Sequence, residues 1–545
     1  MNSYLLQHLL MVNAKRHAEK EAVISSDQSI TYSELDKKSN QLAWAMLRQG
    51  VRKGDRVGLL FKKSIESIIA LFGVLKTGAS YVPIDPLAPV KRMKYIISNC
   101  NIECLLASSK IVESAIADFC KDSPLRKILL SEELTNEFEN KAENLETETW
   151  EEIFASEPRD NPPLDISDNY PAYILYTSGS TGIPKGVVIS HINSLTFVNM
   201  AADFFEVSSK DRLSSHAPLH FDLSVFDIFV AINSGATVVV VPEYLSIFPT
   251  KLAKYIAENR ISVWNSASSV ISLLADRGRL ENFRFDNLRL VHFSGEILPV
   301  KYLRKVKVHM PNAQFFNLYG QTEANSSTFY RINDIPEDDA WKIPIGKPFP
   351  NFEVFALDEN GETINGPGAE GELFVRGSTV AAGYWKDNKR TAASFVTDPL
   401  QSFSSNKVYK TGDLVKIDED GNYVFVGRKD HLVKSKGYRI ELNEIELTLY
   451  SYPGIKQAAV VTIPDDLIGN RIIAYLSTTD GEGFEIRKIL DHCAKRIPKY
   501  MIPETIECRQ ELPTTSTGKV HRKALAKEAL LEYSTPKGSR TAFEN

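Results

Sequence analysis

The chain has 545 residues, 43% of them hydrophobic and 24% charged, and a formal net charge of -5. That length exceeds one ordinary hydrophobic core, so at least two domains are expected. The acidic balance argues against a nucleic-acid footprint, and no apolar run approaches the roughly 20 residues of a membrane span.

The N-terminal stretch "MNSYLLQHLLMVNAKRHAEK" has apolar residues at helical spacing, broken by polar ones. It lacks a long apolar core and a small-residue cleavage site, so it reads as an amphipathic helix and not a signal peptide. The cysteines are Cys100, Cys104, Cys120, Cys493 and Cys508, without metal-site spacing. They read as free thiols in a reducing cytoplasm, with Cys100 and Cys104 one helical turn apart if they share a helix.

Farther along, "RVGLLF" (56–61) reads as a buried strand, "SIESIIALFGVLKTG" (64–78) as a helix closed by Gly78, and "ASYVPID" as the next strand. Strand, helix, strand implies a parallel sheet with right-handed crossovers. The pattern returns at "ATVVVVPE" (236–243), "KLAKYIAENR" (251–260), "ISVWNS" (261–266) and "LRLVHFSGE" (288–296). Residues 131–169 are acidic, Pro-rich near their end, and read as a surface excursion. After about residue 345 short strands with turn signals dominate, "DENG" and "DEDG" marking hairpins. A smaller helix-and-strand unit follows over 431–530, and "STPKGSRTAFEN" reads as a frayed tail.

The stretch "YTSGSTGIPKG" (176–186) is built to approach an anion: glycines let the backbone come close, and hydroxyls and N–H groups donate. It is not a P-loop, because Lys185 precedes Gly186 and Pro184 blocks the helix that should follow. Other blocks stand in order along the chain, two before this stretch and six after it: "ITYSEL" (30–35), "LKTGASYVPID" (75–85), "HFDLS" (220–224), "NLYGQTE" (317–323), "GELFVRGSTVAAGYW" (371–385), "YKTGD" (409–413), "GRKDHLVKSKGYRIELNEIE" (427–446) and "TGKVHR" (517–522). Together they resemble the adenylate-forming superfamily of acyl-CoA synthetases, luciferases and nonribosomal peptide synthetase adenylation domains, over roughly residues 20–525.

The resemblance implies an α/β fold. A large N-terminal domain (1–429) would combine parallel and mixed sheets, packed helices and a small β-barrel-like subdomain. A small mobile α+β domain (430–530) would follow, with a flexible tail at 531–545 and the hinge at Asp430. It implies a two-step reaction using ATP and Mg2+: a carboxylate attacks the α-phosphate and releases pyrophosphate, then a thiol attacks the acyl carbonyl and releases AMP. Thr177, Ser178, Gly179, Ser180, Thr181 and Gly182 would cradle the β- and γ-phosphates, with Lys185 securing the loop. Asn317 and Tyr319 belong to the nucleotide site, with Tyr319 against the adenine. Thr322 would meet the α-phosphate, Glu323 would ligate the metal, and Asp413 and Arg428 would serve the ribose. Lys519 would bridge the incoming carboxylate and the α-phosphate, where charge neutralisation dominates the barrier. "KGYRIE" (436–441) would replace it in the second step after the small domain rotates.

In amino-acid-activating members an aspartate in the "FDLS" block binds the substrate ammonium, and Asp222 matches. A buried carboxylate with no cation to pair would be costly for an aryl or fatty acid ligase. The remaining side-chain positions map to Leu223, Phe226, Asn265, His292, Ser294, Leu318, Ser326 and Ser327. No further acid is present for a cationic side chain, so a small amino acid is expected. "YGQTEANSSTFYRI" and its companions look like the free-standing enzymes that load L-proline or D-alanine onto carrier proteins, with L-proline leading and alanine, serine and cysteine as alternatives. His292 reads equally as a pocket donor or a core histidine, and His216 and His220 as gate or packing. No carrier or condensation domain is legible, so the expected thiol is the phosphopantetheine of a separate peptidyl carrier protein, in the cytoplasm. "YGQTE" departs from the commoner "YGPTE" and is expected to loosen that turn; "KSKG" and "ELNEIE" depart on the expected carrier face. An acyl- or aryl-CoA ligase and a non-catalytic scaffold are the competing readings.

Overall fold

The computed structural model describes residues 3–113, 115–132, 145–179, 183–339, 341–401, 406–429, 432–478, 485–514 and 520–533. Ser180, Thr181, Gly182, Asp430 and Lys519 lie outside the described residues, as do 534–545 of the expected tail. The chain divides into two compact units. The first comprises Met1–Pro86, Met93–Thr177 and Lys185–Lys429; the second comprises Leu87–Arg92, Ser178–Pro184 and Asp430–Asn545.

In the first unit, nine of the described strands form one sheet. Its middle runs Asn325–Ile332, Gln314–Gln321, Leu290–Ser294, Val263–Ala267, Arg212–Ser215, Thr237–Val240. The pairs from Gln314–Gln321 to Thr237–Val240 are parallel, whereas Asn325–Ile332 turns back antiparallel. The apolar runs "TVVV" and "LVHFS" are buried on both faces, as strands of a covered parallel sheet must be. A second sheet of eight strands holds Arg56–Leu60 beside Ser80–Pro83, joined by the helix Ile65–Thr77, and Pro171–Thr177 beside Lys185–Ser190. That helix starts at a Ser64 capping box and stops at Gly78, whose φ of 79° suits glycine. It is buried nearly all round. Gly73 lets it approach the helix Tyr32–Arg48, since a Cβ there would stand 3.1 Å from Leu42 Cβ.

A smaller antiparallel sheet of Glu353–Leu357, Glu370–Arg376, Lys407–Ile417, Phe395–Thr397 and Tyr423–Arg428 accounts for the texture after residue 345. Both "DENG" and "DEDG" close turns, with Gly361 N–H donating to Asp358 O and Gly421 N–H to Asp418 O. Two expectations need correction. Part of the acidic excursion is structured: Glu146–Thr149 pairs in parallel with Lys127–Leu130, and the next helix buries Trp150 and Ile153. Cys100 ends one helix and Cys104 opens a strand, so they do not share a helix; Cys100, Cys104, Cys493 and Cys508 are free thiols.

The second unit has a two-stranded ribbon, Leu432–Ser435 with Tyr438–Glu441, and a three-stranded sheet of Ile455–Asp465, Gly469–Thr478 and Thr505–Arg509. Helices Leu442–Tyr450 and Ile486–Ala494 close a core of Ile445, Leu449, Val460, Ala474 and Ile489. Among the described residues, no helix is long and apolar enough to cross a membrane.

Candidate functional site

The site in the first unit is built around "NLYGQTE". The strand Gln314–Gln321 carries Asn317, Tyr319 and Gln321 to its end, then turns through Thr322–Ala324 into Asn325–Ile332. Gly320 makes the turn possible: a Cβ on it would fall 1.8 Å from the Asn325 carbonyl oxygen. Asn325 completes it at φ 58°. Asn317 donates to Pro344 O at 2.8 Å, which holds the chain after the hairpin against this strand.

Asp413 and Arg428 face each other in register on paired strands. Arg428 Nη1 donates to Asp413 Oδ1, and its Nη2 reaches Thr411 O at 3.1 Å. The Tyr319 hydroxyl donates to the other carboxylate oxygen, Oδ2. Gln321 Nε2 donates to the Tyr319 oxygen at 2.7 Å and also to Asp413 Oδ2. Burial, reinforced by the Asp413 charge, pushes the Tyr319 phenol well above its ordinary range, so it stays a donor. The motif predicts a looser turn at the glutamine; instead Gln321 ties it to the Asp413 carboxylate.

Lys185 opens the strand after the phosphate-loop motif, and its buried ammonium donates to Glu323 Oε1 at 3.0 Å and to the Tyr384 hydroxyl at 2.9 Å. Tyr384 donates in turn to Glu323 Oε1 at 2.7 Å. Glu323 is fully buried, so its charge needs these partners. Thr177, at the end of the strand before the loop, has a buried hydroxyl with no partner among the described residues. The Tyr384 hydroxyl and the Lys185 ammonium beside one deeply buried carboxylate suit a phosphate chain carrying a hard divalent ion, since Mg2+ takes one or two carboxylates and phosphate oxygens. Ser178 and Gly179 group with the second unit.

Asp222 precedes the short helical run Leu223–Val225 but makes no capping bond; its Oδ2 accepts from Thr322 Oγ1 at 3.0 Å. The run continues as a π-turn, Phe226–Val230, a distortion often met at functional sites. His292 is fully buried among rings, 4.1 Å from Phe205, 5.0 Å from Phe226 and 5.8 Å from Phe316, centroid to centroid. Neither ring nitrogen has a partner among the described residues, and burial, helped by Arg289, pushes its pKa down to about 3. Asn265 is its register neighbour on the adjacent strand. Asn265 Nδ2 donates to Asp227 Oδ1 at 2.8 Å, leaving Asn265 Oδ1 buried and without a partner among the described residues. Leu318 pairs with Ser294 across the sheet, and Ser326 and Ser327 begin the return strand; all four are buried.

Several residues here escaped the sequence reading. Burial raises the Asp227 carboxyl to about 7, and lowers the Lys63 ammonium to about 8 while Lys63 donates to Ser215 O at 3.1 Å. Asp227, five residues after Asp222, carries no motif of its own; neither does Tyr384 beyond the "GYW" of its block. His216 packs 5.2 Å from the Trp264 ring and bonds Ser246 Oγ at 3.2 Å, while His220 lies 4.0 Å from Asp85.

The profile of AMP-binding enzymes matches residues 10–385, and that of the AMP-binding enzyme C-terminal domain matches 444–519. The chain belongs to the AMP-binding enzymes. Within this family it is 33% identical over 528 residues to an L-proline--[L-prolyl-carrier protein] ligase of Pseudomonas fluorescens, covering 96% of this chain and 99% of that one. It is 34% identical over 527 residues to a ligase of the same description from Streptomyces coelicolor, at 96% of each. A Vibrio cholerae adenylation domain solved with glycyl-adenosine-5'-phosphate superposes with a TM-score of 0.84 at 23% identity, over 98% of this chain and 99% of that one, and shares the fold.

Proposed function

We propose that this AMP-binding enzyme activates a small α-amino acid, L-proline first, as its aminoacyl adenylate and passes it to the phosphopantetheine thiol of a separate carrier protein. Its place would be the cytoplasm, where ATP and such carriers meet. The observation that carries the reading is Asp222. Its carboxylate stands at a π-distorted turn, bonded to Thr322, whose neighbour Glu323 sits with Lys185 and Tyr384. That arrangement supports an ammonium acceptor beside an α-phosphate donor, which would bring the carboxylate of a bound amino acid to the α-phosphate of ATP.

In the first step a substrate carboxylate oxygen bonds to the α-phosphorus and pyrophosphate leaves. Asp222 accepts from the ammonium in place of the Thr322 hydroxyl, which then donates to the α-phosphate, and Asp413 with Arg428 fixes the ribose. Glu323 would hold Mg2+, which supplies positive charge to the phosphate oxygens. Lys519 neutralises the incoming carboxylate. In the second step the carrier thiol adds to the acyl carbonyl, its proton is lost, and AMP leaves. The small domain from Asp430 onward rotates between the two steps.

The side-chain positions expected from the sequence hold no acid beyond Asp222, which supports a small, uncharged substrate side chain. The test is loading. Purified protein with ATP, Mg2+ and radiolabelled L-proline should label a phosphopantetheinylated carrier and not its unmodified form. Transfer to coenzyme A in preference to any carrier would favour the CoA-ligase reading.

A further inference from the structure

We propose that Gln321 is a positioning residue of the nucleotide site, holding the Asp413 carboxylate so that the enzyme selects a ribonucleotide over a deoxynucleotide. The proposal rests on the reading of Asp413 as the ribose carboxylate and adds a residue to it.

Three observations carry the assignment. Gln321 is only 3% exposed, so its carboxamide must find partners inside the protein. Its Nε2 donates both to Asp413 Oδ2 and to the Tyr319 oxygen, while the Tyr319 hydroxyl donates to the same Oδ2. With Arg428 on Oδ1, both carboxylate oxygens are restrained and the plane of the group is set. Charge-assisted bonds of this kind are stronger than neutral ones and directional. A carboxylate has about four acceptor sites and three are taken, so Asp413 can still accept from one ribose hydroxyl in that plane.

The third observation is an unmet acceptor. Gln321 Oε1 is buried and has no partner among the described residues. An unsatisfied buried carbonyl is costly unless a ligand donor reaches it. This one belongs to the carboxamide that touches Asp413, and the vicinal hydroxyls of a ribose are the donors a nucleotide would bring there. The proline of the commoner "YGPTE" has no side-chain donor or acceptor and could do neither. Gln321 therefore replaces a rigid turn residue with a hydrogen-bonding one, and the effect should appear in recognition of the sugar and not in the chemical step.

The experiment measures binding of ATP, 2'-deoxy-ATP and 3'-deoxy-ATP to the full chain by calorimetry, with Mg2+. It compares the wild type with Gln321→Met, Gln321→Pro and, as reference, Asp413→Asn. It also records thermal midpoints and the pyrophosphate-exchange kcat at saturating ATP. We expect Gln321→Met to bind ATP about 10-fold more weakly, as loss of charge-assisted bonds implies. Binding of the deoxynucleotides should change less than about twofold, and kcat less than about threefold. Gln321→Pro should behave alike. If Asp413→Asn lowers the preference for ATP and Gln321→Met does not, the proposal is overturned while the ribose reading stands. If Gln321→Met weakens all three nucleotides equally, with a fall in the midpoint, the residue is a packing element and the proposal is again overturned. If Asp413→Asn leaves the preference intact, the ribose reading itself fails and takes the proposal with it.

Discussion

Lys185 Nζ stands 3.0 Å from Glu323 Oε1, and the Tyr384 hydroxyl bonds both. Removing one member of such a buried pair strands the other, which costs about 3–5 kcal/mol, whereas removing both relieves that penalty. Lys185→Met and Glu323→Gln should each lower the thermal midpoint, and the double variant should recover most of the loss without recovering adenylation. Equal midpoints for the single and double variants would contradict this coupling.

Tyr384→Phe keeps the ring over Lys185, 4.3 Å from the ammonium, and removes only the hydroxyl. Losing one hydrogen bond to a charged group predicts a rise of about 10-fold in the Mg2+ concentration for half-maximal pyrophosphate exchange. An unchanged Mg2+ titration would show that Tyr384 does not orient Glu323.

His292 has a pH signature. Its folded pKa is pushed from the usual 6.5 to about 3, so between those values the unfolded chain binds a proton that the folded one does not. Stability is therefore full above pH 6.5 and falls as the pH drops, by up to about 1.4 kcal/mol per pH unit. Asp227, raised to about 7, works in the opposite direction, but it remains in both proteins when wild type and His292→Phe are compared. The variant should lose less of its thermal midpoint between pH 6.5 and 4.5. Parallel midpoint curves would mean that the imidazole takes up its proton in the folded state too.

Lys519→Ala should cut amino-acid-dependent pyrophosphate exchange by at least about 100-fold, as loss of an electrostatic contact to the transition state implies. Transfer to the carrier from preformed adenylate should survive. Near-normal exchange in this variant would remove Lys519 from the first step.

The sequence was most legible where local pattern and packing agree. Ser64, the apolar helix Ile65–Thr77 and Gly78 announce a capped, buried helix, and the runs beside it announce a parallel sheet. The ordered motifs led to Asp413, Arg428, Tyr319, Lys185 and Glu323, which the structure joins in two hydrogen-bonded groups. Less legible were partners set by tertiary register. Asn265 is neighbour to His292 only because their strands pair, and its amide is claimed by Asp227, a residue with no local signal. Gln321 looked like a weakened turn because hydrogen bonding to residues about 90 positions away leaves no trace in the motif itself. The strand Glu146–Thr149 reads polar because it is the last strand in the order of its sheet, where burial no longer demands apolar side chains.

The central claim, an amino acid held by Asp222 beside ATP, is tested most directly by ATP–pyrophosphate exchange. The assay covers the twenty amino acids and representative aryl and fatty acids, with the wild type and Asp222→Ala. The account predicts that a small amino acid, with L-proline strongest, drives exchange by the wild type, and that Asp222→Ala loses it by at least about 100-fold, as loss of the ammonium's ionic partner implies. Exchange driven by an aryl or fatty acid and untouched by Asp222→Ala, or no exchange with any acid, would contradict it.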